Sequence, residues 1–119
     1  MTGLPATMCG VQLVGHGGPR RVGPPDHLAR PRPGPGEALL RVLAAGINMT
    51  DVNTRLGWYG DGEAAGWAGA MAFPRIQGAD LCGRVVALGE GLAGPAPGAR
   101  AVCPVNQPEP TAGNAIALA

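Results

Sequence analysis

At 119 residues the chain has room for one domain, and a hydrophobic share of 45% argues against disorder despite 21 glycines and 13 prolines. A net charge of +1 with no basic block lacks the electrostatic footprint of a nucleic-acid binder. No apolar run reaches the ~20 residues of a membrane span and no signal-peptide pattern opens the chain; three cysteines without a CxxC pair fit buried thiols in a reducing cytoplasm.

All nine basic residues are arginine, and alanine, glycine and proline are abundant. A GC-rich coding sequence gives that bias, so single glycines carry little meaning by themselves. Residues 8–14 form a short strand candidate, ended by the turn Gly15-His16-Gly17-Gly18-Pro19. Residues 19–36 contain six prolines and read as an irregular surface connection, because proline lacks the ladder donor. Residues 37–44 predict a strand in which Arg41 is the one charge after the opening Glu37, with one face buried and the other partly so.

A short helix is expected over residues 48–56. Asn48 and Asp51 stand at the spacing of a capping box, and Gly57 supplies the stop. Residues 58–73 hold every aromatic of the chain: Trp58, Tyr59, Trp67 and Phe73. Trp58, Trp67 and Phe73 read as core ahead of pocket. Residues 80–88 are the clearest strand, with Leu81, Val85, Val86 and Leu88 around Gly83, and residues 99–103 are another. Residues 104–119 show little periodicity. The expected fold class is mainly β, a barrel or sandwich with short helices.

One motif could mislead. Gly89, Gly91 and Gly94 match G-x-G-x-x-G directly after a strand, the arrangement that brings backbone close to a dinucleotide pyrophosphate. Pro95 and Pro97 stand where the helix of such a fold would run, each costing about 3 kcal/mol in a helix interior. The motif is therefore read as a turn. His16 and His27 lie in turn- and proline-rich segments without metal-ligand spacing.

Three segments in order resemble the N-terminal catalytic domain of the medium-chain dehydrogenase/reductase superfamily. Pro33-Gly34-Pro35-Gly36-Glu37 running into Gly46 is similar to the family's P-x-P-G-E-V-L-V-R-V-x-A-A-G. Gly46-Ile47-Asn48-Met49-Thr50-Asp51 is similar to G-[IV]-C-x-[ST]-D. The stretch from Pro74 through Gly78 and Gly91 to Arg100 looks like P-x-I-x-G-H-E-x-x-G-x-V-x-x-V-G-x-G followed by G-D-R-V, with Ala99 in place of the Asp. The resemblance implies a partly open, chaperonin-10-like β-barrel, truncated and incomplete, with no nucleotide-binding domain within residues 1–119.

In zinc-dependent members a Cys of the second segment and a His of the third hold the catalytic metal. Here Asn48 and Ala79 occupy those places, and neither an amide nor a methyl replaces a thiolate or an imidazole. Only Cys103 stands where the four-cysteine structural-zinc lobe would begin. The resemblance thus points to the zinc-free, quinone oxidoreductase-like branch, with no metal. It implies that Asn48 and Thr50 face the nicotinamide of NAD(P)H and the substrate, and that Tyr59 adds a polar contact or a proton, with Trp58 as pocket wall. Capping of the helix is a second reading of Asn48 and Asp51, and Asp80 reads as a strand-end residue. The substrate would be a small carbonyl, enone or quinone. The chain alone is expected to be inactive and to bind no cofactor tightly. The alternative is a non-catalytic barrel that associates with a partner chain, or with itself, through an open strand edge.

Overall fold

The computed structural model describes residues 3–24, 26–59, 72–78, 80–103 and 117–118. Trp67, Ala79 and the segments 60–71 and 104–116 lie outside the described residues. The elements in chain order are β1 (Thr7–Gly10), a 3-10 turn (Pro19–Arg21), β2 (Asp26–Ala29), β3 (Ala38–Gly46), α1 (Met49–Leu56), β4 (Asp80–Leu88), β5 (Arg100–Cys103) and β6 (Ala117–Leu118). The chain is mainly β, and the described strands form two open sheets. One pairs β1 with β2, and the other has the order β5-β4-β3-β6.

The chain divides into two compact units. The first comprises Met1–Cys9, His27–Gly46 and Ala79–Ala119, and so contains the four-stranded sheet. The second comprises Gly10–Asp26 and Ile47–Gly78, and carries α1.

In the first unit, β3 and β4 run antiparallel with two irregularities that cancel. Leu39 faces Ala87 and Leu40 faces Val85, so Val86 is an extra residue on β4; Val42 faces Gly83 and Ala44 faces Cys82, so Leu43 is an extra residue on β3. Each bulge shifts the alternation by one residue. The expected continuous buried face of β3 is consequently broken. Leu39 and Leu40 are both buried, while Leu43 is 49% exposed. Met8, Leu39 and Ala87 form a buried cluster against which Leu4, Leu28 and Val86 pack. Full burial of a side chain such as Leu39 is worth about 1.5–3 kcal/mol. Gly83 lies against the same pairing, where an added Cβ would stand 2.9 Å from the Leu40 Cβ.

Other expectations need correction. The proline-rich stretch contains β2, a strand with one half-buried residue, Leu28, and therefore no hydrophobic alternation to reveal it. It belongs to a two-stranded sheet, where proline neighbours leave few ladder bonds unmade. The first strand stops at Gly10, and Leu13 instead makes isolated bridges to Val22 and Arg75. Residues 117–118 pair parallel with β3, two residues being too short for a periodic signal. Trp58 is 74% exposed and belongs to no core, because it follows the helix-ending glycine and turns outward. Cys9 is exposed, not buried. Cys82 is half-buried.

The glycine motif is a turn with no helix behind it. Its three glycines differ physically. Gly89 donates to the Glu37 carbonyl at 2.7 Å, and a Cβ there would stand 1.8 Å from the Gly34 carbonyl oxygen. Gly91 has φ +76°, and a Cβ on Gly94 would meet nothing within 4 Å. Gly89→Ala is therefore expected to cost about 3 kcal/mol by overpacking, and Gly91→Ala about 1 kcal/mol by left-handed strain. Gly94→Ala should stay within about 0.5 kcal/mol of the parent. Urea unfolding of the 119-residue chain measures all three, and equal costs would contradict the turn assignment.

Candidate functional site

The second unit is organised by α1, eight residues held chiefly at their two ends. Asn48 is the N-cap in extended conformation, and its side-chain oxygen accepts from the Thr50 N–H at 2.9 Å. The capping box is closed by Asp51, whose Oδ2 accepts from the Asn48 N–H at 3.0 Å. Two of the orphan donors of the first turn are thus satisfied by side chains at the spacing that the sequence displays. The Thr50 hydroxyl also donates to the Asn48 oxygen.

At the other end Gly57 takes φ +79°. The Trp58 N–H donates to the Asn53 carbonyl at 2.9 Å and the Gly57 N–H to Thr54 at 3.1 Å, the paired bonds of a Schellman ending. The carbonyls of the last turn are further taken up by the glycine loop before Pro19. His16 Nδ1 donates to the Thr54 oxygen at 3.0 Å, the Gly17 N–H donates to the Arg55 oxygen at 2.8 Å, and Arg55 Nη1 donates to the Gly17 oxygen at 2.7 Å. The His16 ring meets Phe73 edge-on, with centroids 5.0 Å apart. A third segment reaches the helix through Gln77, whose Nε2 donates to the Asp51 oxygen at 3.0 Å. The Gln77 Oε1 is buried without a partner among the described residues.

Of the three residues expected in the site, Asn48 and Thr50 are joined directly. Tyr59 is half-buried beyond the other end of α1. Eight helical residues rise ~12 Å, so the backbone of Tyr59 starts at least that far along the axis from Asn48. His16 and Gln77, which position both ends of the helix, carry no signal of that role in the sequence. Their partners are backbone carbonyls, and any residue supplies one.

The donor chemistry at Asn48 has a direct consequence. The Asn48 oxygen is engaged by the cap and by Thr50, so the donors of this side chain are its amide N–H groups. The single hydroxyl proton of Thr50 is directed at Asn48, which leaves that oxygen acceptor capacity alone. Neither arrangement offers a ligand of the type that holds a catalytic zinc. Among the described residues no group of three or more His, Cys, Asp and Glu side chains is placed to hold a metal ion. Among them, too, no helix is long and apolar enough to cross a membrane.

Residues 34–116 match the family model described as the alcohol dehydrogenase GroES-like domain. No match was found among curated proteins. Several solved structures are similar. A protein of Sinorhizobium meliloti 1021 provisionally named an alcohol dehydrogenase is 38% identical with a TM-score of 0.74, over 86% of this chain and 30% of its own. An NAD-dependent alcohol dehydrogenase is 35% identical with a TM-score of 0.66, over 80% of this chain and 25% of its own. A provisionally named zinc-binding dehydrogenase of Sinorhizobium meliloti 1021, bound to NADP, is 29% identical with a TM-score of 0.63, over 81% of this chain and 24% of its own. This chain therefore spans less than a third of the length of these relatives.

Removal of the cap tests the structural half of the Asn48 role. Asn48→Ala is expected to destabilise the chain by about 1 kcal/mol, and Asn48→Asp, which retains the acceptor, by much less. In a double-mutant cycle with Asp51→Ala the two losses should be non-additive, since each side chain serves one half of the same box. Strict additivity in urea unfolding would show that the two halves of the box act independently.

Proposed function

The chain belongs to the alcohol dehydrogenase GroES-like domain family, and from that membership we propose that it is the front part of a zinc-free, quinone oxidoreductase-like NAD(P)H-dependent enzyme. The observation that carries the finer reading is Asn48, an amide committed to capping α1 at the place where zinc-dependent members carry a cysteine. Ala79, where those members carry a histidine, supports the same reading from the sequence. The cofactor is held mainly by parts of a longer enzyme outside these 119 residues, in keeping with the small share of each solved relative that the chain spans. The cysteine usage favours the cytoplasm.

The bound nicotinamide supplies a hydride. This chain holds the acceptor, a quinone or an enone, by its carbonyl. The Asn48 amide N–H groups point donors at the oxygen that gains negative charge as the C=C electron pair moves toward it. Thr50 fixes the amide by donating to its oxygen, and offers lone pairs toward the nicotinamide. The proton that completes the reduction comes from solvent, and goes to the carbon next to the carbonyl of an enone or to the oxygen of a quinone, which becomes the hydroquinone. Tyr59, at the far end of α1, gives a polar contact to a longer substrate instead of a bond at the reacting carbonyl.

A second reading, association through a strand edge, is favoured by β5, the edge strand of its sheet, on which Val102 is 75% exposed. Size-exclusion with light scattering checks it: a strict monomer at high concentration counts against association.

Metal analysis of the chain purified from zinc-supplemented growth is expected to find far less than one zinc per chain. Stoichiometric zinc would sink the zinc-free assignment. The 119-residue chain mixed with NADPH and benzoquinone should oxidise NADPH no faster than the quinone alone does. Turnover by the chain itself at enzyme-like rates would refute the proposal that the cofactor is held elsewhere.

A further inference from the structure

The arginines look scattered in the sequence, but the strand register gathers three of them. Arg41 on β3 pairs with Arg84 on β4, and Arg84 pairs with Arg100 on β5. Directly paired residues project to the same face, so three guanidinium groups stand in one row across three strands. Strands lie ~4.8 Å apart, and the row is thus ~10 Å wide at the backbone. All three residues are exposed. The one hydrogen bond of the row is from Arg84 Nη1 to the Gly98 carbonyl, and among the described residues no carboxylate pairs with any of the three. Like charges directly opposite one another destabilise a sheet. An anion laid across them removes that cost.

The neighbouring row on the same face is apolar. Ala44 pairs with Cys82 and Cys82 with Val102, two residues along β4 and β5 from the arginines and one bulge along β3. This row, with Gly46, Asp80 and Leu81, lines an open depression of about 240 Å³. Gly46 leaves its far end open, where an added Cβ would crowd the Asp80 Cβ at 3.2 Å. Rows repeat every ~6.7 Å along a strand. The Asp80 carboxylate therefore begins ~13 Å from the arginines and disfavours a second negative charge at that end.

We propose that the Arg41–Arg84–Arg100 row and the depression beside it form a binding site for an amphiphilic organic anion, with phosphate or carboxylate on the arginines and an apolar body over Ala44, Cys82 and Val102. The site lies wholly within the first unit and is independent of the enzymatic reading of Asn48.

The probes are phenyl phosphate, inorganic phosphate and phenol, titrated into the 119-residue chain at low ionic strength and followed by amide chemical shifts. Phenyl phosphate should bind roughly tenfold more tightly than either fragment, with shifts concentrated on residues 41–44, 82–84 and 100–102. Arg84→Gln should weaken phenyl phosphate and inorganic phosphate alike by roughly tenfold, while Val102→Asp should weaken phenyl phosphate alone. Arg84→Gln is also expected to unfold at equal or higher urea than the parent, so that lost binding is not lost folding. Equal affinity for phenyl phosphate and inorganic phosphate would overturn the proposal, as would unchanged binding in Arg84→Gln. An oligothymidylate that binds more tightly per phosphate than phenyl phosphate, with no effect of Val102→Asp, would replace the small-anion ligand with a nucleic acid and equally overturn it.

Discussion

The β3–β4 ladder is the constraint on which the first unit depends. A strand shows opposite faces on successive residues, so a one-residue slip of β3 would carry Leu39 away from the face it shares with Met8 and Ala87. The two bulges, one on each strand, shift the pairing by one residue and then restore it. Between them only three pairs are displaced, and Arg41–Arg84 is the middle one. The same ladder brings the glycine turn at residues 34–37 against the turn at residues 89–91, where Gly36 donates to the Glu90 carbonyl at 2.9 Å and Gly89 to Glu37. A side chain at Gly89 would collide with backbone there, and backbone has nowhere to go.

The second unit solves a different problem. A helix of eight residues is too short to persist by propensity, because nucleation costs more than one or two turns return. No residue of α1 is buried, so packing of an apolar face contributes little. What remains is the satisfaction of its ends: the Asn48–Asp51 box at the start, and Gly57 with His16, Gly17 and Arg55 at the finish. A structure held in this way is sensitive to its caps. Any functional demand on Asn48 must leave its oxygen in place.

Features that depend on local chemistry were legible in the sequence. The capping box, the stop at Gly57 and the limits of the strand over residues 80–88 rest on residues within a few positions of each other. Proline at positions 95 and 97 likewise sufficed to reject the dinucleotide reading of the glycines. Features that depend on register were not legible. The break in the buried face of β3 follows from a bulge set by its partner strand, and β2 exists because β1 lies beside it. Trp58 looks like core by composition, yet one glycine before it sends it outward. Of the proposed site, the closeness of Asn48 and Thr50 was legible, because both stand in the first turn of one helix. Their supports, His16 and Gln77, act through backbone carbonyls distant in sequence, and such contacts leave no residue pattern.

The place held by Asn48 explains how a metal ligand could be exchanged there without loss of the scaffold. A helix N-cap needs an acceptor for the N–H groups of the first turn, and asparagine is among the strongest cap residues. An amide divides its chemistry between two atoms. Its oxygen can serve the helix while its nitrogen carries the donors, whereas a zinc-bound thiolate commits its one sulfur to the metal. On the proposed reading the substitution replaces a Lewis acid held nearby with hydrogen-bond donation by the residue itself. Reduction of an activated alkene needs no more than that, because the conjugated carbonyl already accepts the electron pair and the site has only to stabilise its oxygen. A reaction that must ionise an unactivated alcohol lacks this internal sink. The donor role proposed for Asn48 thus suits the quinone and enone class better than alcohol oxidation, and it leaves the capping oxygen with the fold.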